Sequence, residues 1–398
     1  MKLKQNIIKA GLVVGGILLV ALTVLFWPKA SESNSTTPTQ QGVISGEKTS
    51  IQVVTNQQTQ TISNTGDGTT VRIRAIGDIL LHDFVYNTVR SANGYNFNSM
   101  LEPVKRYIEN ADITIANMET IVAGEQIGLG TYPLFNAPAE ILDTLKYVGV
   151  DIVNNTSNHT MDMGGEGALL SIQQLKKHGM PYVGSYESWN DYNTPRILEA
   201  NGIKVGFLAY TYGLNGLELP EGQEYLATLI DTELIPLEIK ALKEKVDVSV
   251  VIIQNGEEYL TLPTENQLMI HGIARDAGAN FVLGGHPHVM EPFIYYNESQ
   301  AGIFSHGNFL TGQYEPATKV GGITEFTFRK LSSGQVVLDS MRFMPTYNIG
   351  LPEFDTYSVV PLADWQKYGI PNGEALLQEI RERMTTFTNK VEVVDYLD

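Results

Sequence analysis

From residue 71 onward, apolar positions follow two alternating rhythms. Short β-branched runs at 71–76, 113–116, 151–153, 203–210, 248–253 and 281–283 read as strands. Between them, 99–109, 139–148, 165–178, 232–245 and 264–277 carry apolar residues at helical spacing. Pro103 falls early enough in its segment for a first turn to tolerate it, and Gly149 and Gly179 close the two helices that follow. Asn201-Gly202, between 196–200 and 203–210, is a hairpin signal. Past Glu291 the pattern becomes mostly strand (292–296, 302–305, 322–329, 335–343), and one more helix is predicted at 373–384. Mixed αβ units followed by β-rich sequence predict a layered α/β domain with two sheets, not a simple Rossmann fold.

The first 70 residues behave differently. Segment 10–27 has no charged or strongly polar side chain except Thr23. Such a run is long enough to cross a hydrocarbon core of roughly 30 Å. Lys2, Lys4 and Lys9 precede it and only Lys29 follows closely, which places the N-terminus in the cytoplasm. Pro28-Lys29-Ala30 makes a poor signal-peptidase site, so an uncleaved single-pass anchor is preferred to a signal peptide. Residues 31–70, rich in Ser, Thr, Gln and Asn, read as a flexible linker. The expected organisation is an anchor at 1–30, the linker at 31–70, a domain at 71–347 outside the cell, and a C-terminal extension at 348–398.

Composition narrows the chemistry. The 398 residues carry a formal charge of -17, which argues against a general nucleic-acid surface. There is no cysteine, so any metal must be held by His, carboxylates and amide oxygens. Such residues gather in a few polar clusters that follow predicted strands: Gly77-Asp78, Asn117-Met118-Glu119, Ser157-Asn158-His159 and Gly285-His286-Pro287-His288. Open α/β sheets bind ligands at the carboxyl ends of their strands. Singly, each cluster has a plainer reading: Asp78 as a turn or cap residue, Glu119 as a solvated loop carboxylate, Asn158-His159 as a cap. Their joint occurrence predicts a divalent-metal site (Mn, Zn or Fe, one or two ions).

The segments Ala75-Ile76-Gly77-Asp78, Ala116-Asn117-Met118-Glu119, Phe135-Asn136-Ala137-Pro138, Ser157 to Gly164, Gly285-His286-Pro287-His288 and Ser305-His306-Gly307-Asn308-Phe309 resemble the CapA family of capsule and poly-γ-glutamate synthesis proteins. The resemblance implies a four-layer α-β-β-α sandwich like that of calcineurin-type metallophosphoesterases, with a metal site at one edge. It implies Asp78, Glu119, Asn158, His286 and His288 as ligands, Glu119 as the bridging one. His159, oriented by Asp162, would be the proton donor or charge stabiliser, and the chemistry an in-line displacement at phosphorus.

This chain departs from the family pattern twice. Gln254 stands where the family usually has a His, and Leu80 stands where the Asp-x-His opening of true metallophosphoesterases has its His. His82 would replace the missing ligand if a helix began at Asp78, since i and i+4 share a face. Glu257, with Glu258 beside it, and Asn308 are substrate-side candidates, the plainer readings being exposed loop carboxylates and a loop-fixing amide. The resemblance implies a role in making or exporting an anionic envelope polymer, with other membrane subunits as partners. A metal-dependent phosphoesterase and a non-catalytic scaffold are the alternatives.

Overall fold

A computed structural model describes residues 68–398. The predicted anchor, and the linker as far as residue 67, lie outside that range. Among the described residues no helix is long and apolar enough to cross a membrane.

The chain starts in one sheet, crosses to a second and returns. β1 (Thr69–Leu80), β2 (Ile113–Met118), β3 (Ile152–Asn154) and β4 (Tyr182–Val183) run parallel in that order in a nine-stranded sheet. Next come β5 (Arg196–Ala200), β6 (Ile203–Thr211), β7 (Val248–Gln254), β8 (Phe281–Gly285), β9 (Met290–Asn297) and β10 (Gln300–His306). These form a six-stranded sheet in the order β9-β10-β8-β7-β6-β5. β11 (Asn308–Thr311), β12 (Val320–Lys330), β13 (Val336–Ile349), β14 (Ser358–Pro361) and β15 (Val391–Val393) then complete the first sheet.

Strand periodicity builds the layers, because successive side chains point to opposite faces. Ile73, Ala75 and Ile115 on the large sheet meet Phe207, Val250, Ile252 and Phe281 on the smaller one in a shared core. Phe326 stacks on Phe281 across it, centroids 4.0 Å apart. The intervening residues face outward. Ile76, Ala116 and Val153 pack against helices Ile141–Tyr147 and Gly164–Lys177, and Val251 and Ile253 against Leu234–Lys243 and Glu265–Asp276. The order of layers is therefore α-β-β-α.

Several sequence expectations need correcting. β1 begins at Thr69, inside the stretch read as linker, and runs on through Asp78 to Leu80. The helix expected at 99–109 is divided into Asn98–Leu101, a 3-10 turn at Glu102–Val104 and Arg106–Glu109, with Pro103 in the middle piece. Residues 348–398 are built into the domain: β14 and β15 both pair with β13, and helix Gly373–Met384 buries Leu377, Ile380 and Met384 in the inter-sheet core.

A buried ion pair joins β1 to β12. Arg74, 0% exposed, donates from Nε at 2.9 Å and Nη2 at 2.7 Å to Glu325, and from Nη1 to the Tyr107 carbonyl at 3.0 Å. Arg342 on β13 supplies a second guanidinium to the same carboxylate, Nε to Oε1 at 2.8 Å.

Candidate metal centre

The parallel strands of both sheets end at one place, and the polar clusters meet there. β1 reaches it through a register shift at Gly77. A Cβ at Gly77 would lie 2.0 Å from the Gly307 carbonyl, so only glycine lets the two backbones approach. That carbonyl accepts the Asp78 N–H at 3.1 Å, and the carboxylate is presented inward. Glu119 follows β2 and His288 lies on the loop after β8. One ligand atom from each of Asp78, Glu119 and His288 lies within 4.8 Å of the others.

Hydrogen bonds orient these groups. Asn117 Nδ2 donates to Asp78 Oδ1 at 2.6 Å, and Asn117 Oδ1 in turn accepts from Asn154 Nδ2 at 2.7 Å. Asp78 Oδ2 lies 3.2 Å from His288 Nδ1, and Glu119 Oε2 is 3.8 Å from the same nitrogen. Ser157 Oγ bonds both the Glu119 carbonyl (2.8 Å) and the His159 N–H (3.0 Å), tying two loops together. Groups that hold a ligand in place typically matter about 10- to 100-fold for metal affinity. Asn117→Ala is accordingly expected to weaken Mn²⁺ binding by about that factor, read by titration calorimetry. An unchanged Kd would mean that Asp78 is held without Asn117.

Buried polar atoms without a hydrogen-bond partner concentrate here: both Glu119 oxygens, Asn158 Oδ1, Gln254 Oε1 and His286 Nδ1. Burying a carboxylate unpaired is unfavourable. Burial, and then the facing Asp78, push the Glu119 pKa well above its ordinary value. Burial pulls His288 down, but Glu119 and Asp78 outweigh it and hold the imidazole up at about 9. A divalent ion would satisfy these orphaned oxygens and nitrogens, and the donor set is hard to borderline, as such ions require.

The expected ligands do not all converge equally. Asn158 lines the cleft above the group, its Nδ2 spent on Asn215 Oδ1 at 3.2 Å. Gln254 ends β7 beside Asp78: a Cβ on Gly285 would be 2.6 Å from its Nε2 and 3.2 Å from Asp78 Oδ1. The His286 ring is 6.0 Å from that of His288 and 4.5 Å from Tyr212, outside the tight group. Burial, and then His288, lower its pKa to about 3, keeping it neutral. Both histidines have positive φ (+96° and +62°), a strained conformation held by the surrounding structure.

The helical argument for His82 does not hold. Asp78 is on a strand, and His82 only caps the short helix Asp83–Asn87. His82 nonetheless reaches the cleft as a wall residue. Its Nδ1 accepts the Gly312 N–H at 3.2 Å, and burial lowers its pKa to about 4. His159 Nδ1 lies 2.8 Å from Asp162 Oδ2, which also accepts the Phe135 N–H at 2.7 Å. The ring rests edge-on against Phe135, centroids 4.8 Å apart.

Above the centre opens a cleft of ≈ 380 Å³ whose walls include His82, Phe135, Asn158, His159, Glu258 and His288. Glu257 and its neighbour Glu258 are both exposed, and of the two only Glu258 lines the cleft. Asn308 is buried in β11 and does not line the cleft either. Its Nδ2 donates to Gln313 Oε1 (2.8 Å) and the Thr318 carbonyl (3.0 Å), so it positions Gln313, which does line it, while its Oδ1 is buried without a partner. Asn215, Tyr132 and Tyr259 also line the cleft and were not singled out by sequence, since no local pattern marks them.

The profile of a protein family described as "Bacterial capsule synthesis protein PGA_cap" matches residues 72–313, which hold every residue of the centre. The chain belongs to this family. Among PGA_cap relatives, the capsule biosynthesis protein CapA of Bacillus anthracis is 26% identical over 278 residues, spanning 66% of this chain and 65% of that protein. The PGA biosynthesis protein CapA of Bacillus subtilis (strain 168) is 26% identical over 270 residues, 65% of this chain and 68% of that one. Among solved structures, the NAD nucleotidase NadN of Haemophilus influenzae is similar with a TM-score of 0.44 and 11% identity, covering 83% of this chain and 65% of that one. A 5'-nucleotidase precursor from Thermus thermophilus is similar with a TM-score of 0.42 and 13% identity, over 79% and 60%.

Proposed function

We propose that this PGA_cap protein is anchored in the plasma membrane by residues 10–27, with its domain outside the cell. There it serves the synthesis or export of an anionic envelope polymer of the poly-γ-glutamate kind, alongside other membrane subunits. It works through a divalent-metal centre founded on Asp78, Glu119 and His288, with Asn158, Gln254 and His286 as the further donors. Family membership and the names of the two CapA relatives support the polymer role. One observation carries the metal centre: among the described residues, unpartnered buried donor atoms cluster around the one carboxylate–carboxylate–imidazole group.

A bound divalent ion supplies Lewis acidity to a substrate oxygen. This chain's own groups do the rest. Asp162 engages His159 Nδ1, which leaves Nε2 as the nitrogen able to exchange a proton with substrate. Phe135 fixes the ring plane. The dyad also favours a second reading, a metal-dependent phosphoesterase acting on envelope phosphodiesters.

Elemental analysis after Mn²⁺ loading tests the centre, with about one or two ions per chain expected. The ion must displace the proton that His288 holds up to about 9. Affinity therefore rises with pH by at least about tenfold per unit below that value, and more steeply where the raised Glu119 carboxyl is also protonated. A chain that takes up no ion at pH 9, or binds equally at pH 6 and 9, has no such centre. In cells lacking the gene, Asp78→Asn should fail to restore surface polymer. Restoration by His159→Ala would identify the protein as a scaffold.

A further inference from the structure

We infer that the cleft over the metal centre takes a substrate with a primary ammonium next to the oxygen that reaches the ion, and that Glu258, Tyr259 and Tyr132 hold this ammonium. The inference rests on the metal-centre reading and names its substrate class.

The charge of the cleft comes first. Not one of its lining residues is Lys or Arg, and Glu258 is their sole carboxylate. A single divalent ion is neutralised by Asp78 and Glu119, so Glu258 leaves the cleft net negative. Phosphate binders recruit Arg or Lys, which these walls lack, whereas an ammonium group finds a carboxylate in Glu258.

The aromatic walls come second. Tyr132 and Tyr259 are 74% and 52% exposed, far more than rings with a purely packing role. The Tyr259 backbone is held at φ +69° by its N–H bond to the Pro287 carbonyl at 2.8 Å. That places its ring 6.2 Å from the His288 ring, with Glu258 and Tyr132 both acting on its hydroxyl. Tyr132 lies 6.5 Å from Phe135, on the His159 side. A carboxylate and exposed aromatic rings lining one cleft are the groups that recognise ammonium ions.

Third, the walls hold one buried acceptor without a partner. Asn158 is 2% exposed and its Oδ1 has no partner, while its nitrogen is already committed to Asn215. Any N–H donor of the ligand left over by Glu258 meets an acceptor there.

The full-length chain loaded with Mn²⁺ tests this by calorimetry with γ-glutamylglutamate, its N-acetyl derivative, free glutamate and inorganic phosphate. The free-amine dipeptide is expected to bind about tenfold tighter than the acetylated one and tighter than phosphate. Glu258→Gln should bring the two dipeptides within about threefold of each other without changing the metal content. Comparing glutamate with the dipeptide tells whether the ammonium belongs to a free amino acid or to a chain end. An ion-loaded chain that binds both dipeptides equally, or prefers phosphate, overturns the ammonium subsite alone. A chain that takes up no ion overturns the metal centre and the subsite with it.

Discussion

Glu119→Gln should make the metal-free chain more stable while depriving it of its ion. The side chain is 1% exposed, neither oxygen has a partner, and it faces Asp78. The raised imidazole of His288 compensates only one of the two charges. At a pH high enough to ionise Glu119, removing its charge relieves this repulsion, and we expect a gain of about 1–3 kcal/mol. For a domain of this size that is a rise of a few degrees in the melting temperature measured in EDTA. In excess Mn²⁺ the order reverses. Wild type gains about 2.7 kcal/mol once the ion exceeds its Kd about 100-fold, whereas the variant, lacking its central charged ligand, gains almost nothing. A variant that melts lower than wild type in EDTA would show that Glu119 has an unrecognised partner and is no reservoir of strain.

The second large effect lies away from the cleft, at the ion pair between β1 and β12. Glu325→Gln leaves Arg74 buried with a neutral partner and also removes the anion serving Arg342. Breaking a buried pair from one side costs about 3–5 kcal/mol, because the remaining charge stays desolvated. Urea denaturation should show the midpoint falling with little change in slope. Adding Arg74→Met should recover part of the loss, since an apolar pair avoids the desolvation altogether. If the double variant is no better than the single one, the network is held by the Tyr107 carbonyl and Arg342 instead.

Sequence was most informative where a local rule sufficed. The alternation in β7 separates Val250 and Ile252 from Val251 and Ile253, and those pairs do enter different cores. Asn201-Gly202 turns with φ of +54° and +74°, as its hairpin requires. The helix predicted at 373–384 is observed as Gly373–Met384. Where a distant segment decides, sequence falls short. β1 continues past Ile76 because the Gly307 backbone docks on Gly77. β11 and β15 are too short to carry a periodic signal, and their partners come from elsewhere in the chain.

The candidate site divides in the same way. Asp78 stands near the end of β1, and Glu119, Asn158, His159 and His288 in short clusters after strands, so their meeting at the strand ends follows from sheet geometry. The choice of Glu258 over Glu257 depends on how one loop is turned against Pro287, and nothing local encodes that. Asn308 looked like a functional residue through the motif around it; its Nδ2 is committed to Gln313 and the Thr318 carbonyl, and it stands behind the cleft wall instead of in it.

Asp78 comes from the large sheet and His288 from the loop leaving the small one. An ion shared between them would act as a rivet through the two halves of the sandwich. Sliding of one half over the other would then require the ion to leave. Backbone amides in β1 and β8 should consequently exchange with deuterium together, both slowing when the ion is added and both quickening when it is chelated.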